Sequence, residues 1–151
     1  MFDKPKKPIF FAIKVGVKKS KFKKYIMQDS FMHHVTIAYK PEPDTKELML
    51  HLVGNKKTLK AKYILKKDNV GSVLVFDDIP EYFEMTEPHL TISTNGQAPA
   101  VSNEIIKEYN SDPNCGIKCI PIDMEVTGKI CGVVYGKNGA TYVSDRRWLK
   151  T

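Results

Sequence analysis

Two short segments of the chain carry the same alternation, His34-Val35-Thr36-Ile37 and His89-Leu90-Thr91-Ile92. Apolar residues at every second position fit a half-buried β-strand, whose successive side chains point to opposite faces. Each segment turns Val35 and Ile37, or Leu90 and Ile92, toward a core and holds its His and Thr together on the other face. A strand that buries one face needs partner strands and a second layer. Set side by side, two such strands present two imidazoles and two hydroxyls to one cleft.

That set of groups suits hydrolysis of a phosphodiester. A neutral imidazole can take a proton from water, an imidazolium can give one to the leaving oxygen, and hydroxyls can hold the phosphate. The sequence therefore nominates His34 and His89 as catalytic and Thr36 and Thr91 as phosphate-binding. One His-x-Thr on a strand is commonplace, but here two of the chain's four histidines fall in the repeat. Of the others, alternation sends His33 to the core side with Val35 and Ile37, a structural position. His51 falls in a helix and is expected to be exposed. Recognition of a base calls for an aromatic platform. Phe10 is the first candidate, on the non-core face of its strand with Lys14, and Tyr142 and Trp148 follow. Lys14 or Lys40 can neutralise phosphate charge.

The remaining pattern is mostly strands broken by Pro and Gly. Residues 9–17 read as a strand with Phe11, Ile13, Val15 and Val17 inward, followed by a short basic helix over 20–28. The first motif strand spans 31–39 and stops at Pro41 and Pro43. Asp44, with Glu47 three residues on, is expected to cap a helix that ends at Gly54. Strands follow at 58–65, 70–76 and 88–94. Ser102 is expected to cap a helix through Tyr109, with Ile105 and Ile106 inward. Residues 117–122, 124–135 and 141–149 close the fold as strands, with Gly136-Lys137-Asn138-Gly139 as a hairpin turn. The fold class is α+β, mainly antiparallel, in one domain over residues 1–151 with residues 1–8 as a basic lead-in.

A net charge of +7 suggests a polyanionic partner, although a solvated lysine face alone would give the same number. The lysines crowd residues 4–24 and 56–67, and an acidic stretch at 77–87 precedes the second motif. Three cysteines, odd in number and without zinc-site spacing, are expected to be free thiols. With no signal-peptide pattern and no membrane-length apolar run, a cytoplasmic location is expected. No metal, no cofactor, no membrane and no obligate protein partner is expected.

On four stretches the chain resembles the 2H phosphoesterase superfamily. Phe10-Phe11-Ala12-Ile13 resembles the family's opening strand. His33-His34-Val35-Thr36-Ile37-Ala38-Tyr39-Lys40 and Pro88-His89-Leu90-Thr91-Ile92 resemble its two signatures. Residues 142–148, ending Arg146-Arg147-Trp148, resemble its closing strand. The family includes bacterial RNA 2′,3′-cyclic phosphodiesterases, plant cyclic phosphodiesterases, the phosphodiesterase domain of plant and fungal tRNA ligases, and viral enzymes that destroy antiviral nucleotides. Stretches 32–41 and 88–103 are most similar to the tRNA-ligase type, but the chain has neither a P-loop nor a ligase lysine motif. The separation of 55 positions from His34 to His89 is shorter than in most cellular members, as in compact viral ones.

The resemblance implies a bilobal fold, two antiparallel sheets around a central cleft with flanking helices, one His-x-Thr strand coming from each lobe. It implies a metal-independent phosphodiesterase acting on an RNA terminus, such as a 2′,3′-cyclic phosphate end, or on a small (cyclic) oligonucleotide. The alternatives are a viral-type hydrolase of antiviral cyclic oligonucleotides or 2′-5′ oligoadenylates, and a non-catalytic RNA- or nucleotide-binding module.

Overall fold

Each stretch expected to be a strand contains one, with shifted bounds. In chain order the elements are β1 (Phe10–Val15), a 3-10 helix (Lys19–Tyr25), β2 (Asp29–Ser30), β3 (His34–Tyr39), α1 (Pro43–Leu52), β4 (Lys56–Lys67) and β5 (Gly71–Asp77). Then come β6 (His89–Thr94), α2 (Val101–Ser111), β7 (Lys118–Pro121), β8 (Glu125–Gly136), β9 (Gly139–Val143) and a 3-10 turn (Arg146–Trp148). This computed structural model describes residues 4–77, 80–85 and 87–151. Residues 1–3 of the lead-in, and Asp78, Ile79 and Thr86 of the acidic stretch, lie outside the described residues. The α+β class is as expected.

Every strand pairing is antiparallel. The order is β2-β6-β5-β4-β8-β1-β3, with β7 also on β4 and β9 also on β8. Where two separate sheets were expected, the hydrogen bonding is continuous, and strand length is the reason. β4 and β8 are each 12 residues long, about twice the usual strand. Residues 56–60 of β4 pair with 125–129 of β8, while residues 60–67 turn to β5 and residues 128–133 of β8 turn to β1. This one β4-β8 ladder thus joins a β3-β1-β8-β9 group to a β2-β6-β5-β4-β7 group. Gly128 sits at that junction, where a Cβ would overlap the Lys14 carbonyl oxygen and Ile13.

The main core lies on one face of both groups. Phe11, Ile13, Val35 and Ile37 meet Leu74, Leu90, Ile92, Ile130 and Met49 there, all almost fully buried. The motif residues expected inward are therefore inward. On the opposite face of the second group, α2 packs Val101, Ile105 and Ile106 onto Leu65, Val73 and Val75.

Several local expectations change. The first α-helix starts at Pro43, which pre-sets helical φ at the first position, so Glu42 precedes it and Asp44 is inside the first turn. Ser102 lies inside α2 after Ala100, not at its cap. The final strand ends at Val143, and residues 146–148 form the 3-10 turn instead. The basic helix is 3-10 with a kink at buried Phe22. The lead-in is tied beside the C-terminal segment, where the Lys6 N–H donates to the Trp148 carbonyl and Lys150 N–H to that of Lys6, both at 3.0 Å. Among the described residues no helix is long and apolar enough to cross a membrane.

Candidate active site

The two motif strands repeat more closely than their sequences do. On β3, His34, Val35 and Thr36 oppose Lys14, Ile13 and Ala12, and then Ala38 opposes Phe11, so Ile37 is an extra residue. On β6, His89, Leu90 and Thr91 oppose Val75, Leu74 and Val73, and then Ser93 opposes Ser72, so Ile92 is extra. Each strand has a one-residue bulge directly after its Thr. Bulges bend a strand and re-aim its side chains, and they gather beside active sites.

β3 and β6 lie near opposite ends of the strand order, yet the chain before β3 brings them together. Asp29 and Ser30 pair with Thr94 and Ser93 of β6. Phe31 and Met32 N–H then donate to the carbonyls of Ile92 and Thr91, both at 2.9 Å. At Met32 the backbone turns through a left-handed φ of 63° and enters β3. Both motifs consequently line one cavity of about 220 Å³, with His33, His34, Thr36, His89 and Thr91 joined by Phe31, Pro99, Ala100 and Asn103. None of these side chains is a carboxylate, which suits an anion.

Each imidazole is held at Nδ1. His89 Nδ1–H donates to the Glu87 carbonyl at 2.9 Å, because a carbonyl can only accept. His34 Nδ1 shares a 2.7 Å hydrogen bond with the Tyr142 hydroxyl. Among the described residues, no protein group takes up Nε2 of either ring. Burial pushes His34 down to about 4, with the nearby His33 and His89 rings adding to the effect. His89 is also lowered by burial, but its bond to the Glu87 carbonyl and the charge of Glu87 offset part of that. The Thr91 hydroxyl is anchored by Ser102 Oγ at 2.8 Å, so helix α2 orients it. Thr36, half-buried on the opposite wall, directs its hydroxyl to no protein group among the described residues.

The four motif residues thus meet as expected; the supporting residues are partly rearranged. Phe10 is no exposed platform: it is only 5% exposed and lies beneath His34, their ring centroids 5.4 Å apart. Lys14 is exposed, opposite His34, with Nζ 5.4 Å from the Tyr142 ring centroid. Tyr142 reaches the site as the hydrogen-bond partner of His34 instead of as a stacking surface. Trp148 packs on the main core and does not line the cavity. His33, expected on the core side, is exposed and lines the cavity, edge-on to Phe31. The left-handed turn at Met32 resets the alternation just before β3, and nothing in an apolar/polar pattern signals such a turn at methionine. His51 is exposed, as expected, and accepts from Arg146 at 3.1 Å. Asn103 and Ser102 were not foreseen at the site; they come with α2, whose docking no local pattern specifies.

Among the described residues, no group of three or more His, Cys, Asp or Glu side chains is arranged to hold a metal ion. The three cysteines are unpaired thiols, with Cys131 buried. Compared with models of known protein families, with curated proteins and with solved structures, the chain matches none.

Proposed function

We propose that the chain is a metal-independent phosphodiesterase of the 2H kind, the two strand groups of its one sheet standing for the two lobes of that family, and that it hydrolyses a nucleotide phosphodiester such as an RNA 2′,3′-cyclic phosphate end. The observation that carries this reading is the shared cavity: two His-x-Thr pairs, bulged alike, face one carboxylate-free space with both imidazoles held at Nδ1.

The two rings divide the proton work. His34, kept neutral by burial, is the general base: its Nε2 takes a proton from the attacking water. Its Nδ1–H donates to the Tyr142 oxygen before and after that transfer, so the ring need not reorient. His89, whose charged form Glu87 favours, is the general acid. The water oxygen bonds to phosphorus, the bond from phosphorus to the ribose oxygen breaks, and that oxygen receives the His89 proton. Thr36 and Thr91 donate to the non-bridging oxygens as charge builds on them. A cytoplasmic location goes with this reading, where thiols stay reduced and RNA ends arise.

The test is a panel of RNA with a 2′,3′-cyclic phosphate end, 2′-5′ oligoadenylate and cyclic di- and trinucleotides, incubated with the purified protein in excess EDTA and read by mass. Hydrolysis of at least one at an undiminished rate is expected. Activity lost to EDTA and restored by Zn²⁺, Mn²⁺ or Mg²⁺, or no hydrolysis of any member, contradicts the reading.

A further inference from the structure

The two strand groups differ in what covers their cleft-side faces. On the second, α2 seals Val73 and Val75, the cross-strand partners of Thr91 and His89. On the first, the buried residues Phe10, Ala12 and Val133 form a small cluster with the partly buried Ile9 and Tyr142, which among the described residues includes none from either α-helix. Aromatic rings occupy the open face. The bulge at Ile37 is what puts one of them there. Strict alternation from His34 would turn Tyr39 to the core with Val35 and Ile37. With the extra residue, Tyr39 opposes Phe10, on the same face as Ala12 and Lys14 and therefore as Thr36 and His34. Tyr135 shares this face through Val133, which opposes both Phe10 and Tyr142.

Phe10 is the hub. Its ring centroid lies 5.4 Å from His34, 5.9 Å from Tyr39 and 6.2 Å from Tyr135. Tyr39 and Tyr135 are 56% and 55% exposed, two of the largest apolar surfaces the described residues show to solvent. Lys40 Nζ stands 5.6 Å from the Tyr39 centroid and Lys14 Nζ 5.4 Å from that of Tyr142. Neither lysine is in an ion pair among the described residues.

We propose that this face is a base-stacking platform for nucleotides flanking the scissile phosphate, so that the substrate is a single-stranded oligonucleotide longer than one nucleotide. The proposal rests on the two-histidine reading of the cleft. Aromatic rings bind successive bases with little regard to sequence, and cations beside them hold the backbone. The platform is continuous with the cleft, because Phe10 underlies His34 and Tyr142 is bonded to it. A mononucleotide filling the cavity of about 220 Å³ would leave Tyr39 and Tyr135 unused.

Two probes separate the platform from the cleft: inorganic phosphate, followed by imidazole NMR signals and calorimetry, and a 2′-O-methylated adenosine trinucleotide with a 3′-phosphate, followed by calorimetry. Phosphate should shift the His34 and His89 signals, and the trinucleotide should bind at least about tenfold more tightly than phosphate. Tyr39→Ala and Tyr135→Ala should each weaken the trinucleotide by about fivefold or more, as loss of one stacked base does. Phosphate affinity should move less than about twofold. Tyr39→Phe and Tyr135→Phe, which keep the ring, should bind like the parent. If phosphate shifts both imidazoles but the alanine variants bind the trinucleotide unchanged, the platform is wrong and the cleft reading stands. If phosphate leaves the imidazoles untouched while trinucleotide binding still depends on both tyrosines, the face binds bases, but the cleft reading falls and with it the placing of that face beside a scissile phosphate. A dimer that Tyr135→Ala dissociates without changing trinucleotide affinity assigns the face to a second copy of the chain and overturns the proposal.

Discussion

Replacing His34 or His89 with alanine should lower kcat by at least about 10²-fold on the substrate that the panel identifies, the range expected for a lost general acid or base. Both side chains face the cavity, while neighbouring Val35 and Leu90 anchor their strands with 0% exposure, so folding should survive. Circular dichroism and urea unfolding at pH 7.5 check that. His51→Ala is the control, since His51 is exposed, bonds Arg146 and does not line the cavity, and it should leave kcat within about twofold of the parent. A His34→Ala or His89→Ala variant with near-parental turnover would remove the two-histidine mechanism.

Acid should destabilise the fold strongly, and His34 should be a main cause. Its ring is held at about 4 in the folded chain against an ordinary 6.5. Between those two values the unfolded chain binds the extra proton and the folded chain does not. Stability therefore rises with pH across that window: the contribution is complete above pH 6.5 and is lost as pH falls toward 4. The full loss is on the order of 3 kcal/mol. His89, also lowered, adds with the same sign. Urea unfolding at pH 7.5 and pH 4, for the parent and for His34→Gln, isolates the effect, because carboxylate titration is common to both chains. The parent should lose more stability than His34→Gln by roughly that amount. Equal losses would mean that the ring is not held neutral by its surroundings.

Much of this was legible in the residues. The period-two pattern located the strands and assigned Val35, Ile37, Leu90 and Ile92 to the core and their His and Thr neighbours to a shared cleft, because one-sided burial dictates that split. What alternation misses are the places where the backbone breaks it. The left-handed turn at Met32 moved His33 from the core side into the cavity, and the bulge at Ile37 moved Tyr39 onto the cleft face. Both features arise from long-range pairing, of residues 29–32 with β6 and of β3 with β1, which no local window contains. Phe10 departs from the apolar/polar pattern for a related reason. A strand central to its group buries side chains on both faces, and β1 lies between β3 and β8. The single sheet was likewise hidden, since the lengths of β4 and β8 matter only once their partners are known.

The most direct test of the paired-imidazole mechanism is the pH dependence of kcat/KM from pH 4 to 9, measured where chemistry limits the rate, for the parent and the two histidine-to-alanine variants. The expected result is a bell whose ascending limb, near the His34 value of about 4, reports the base and whose descending limb, below the ordinary 6.5, reports His89 as the acid. His34→Ala should lose the ascending limb of its residual activity and His89→Ala the descending one. A flat parental profile, or limbs that persist unchanged in both variants, would contradict it.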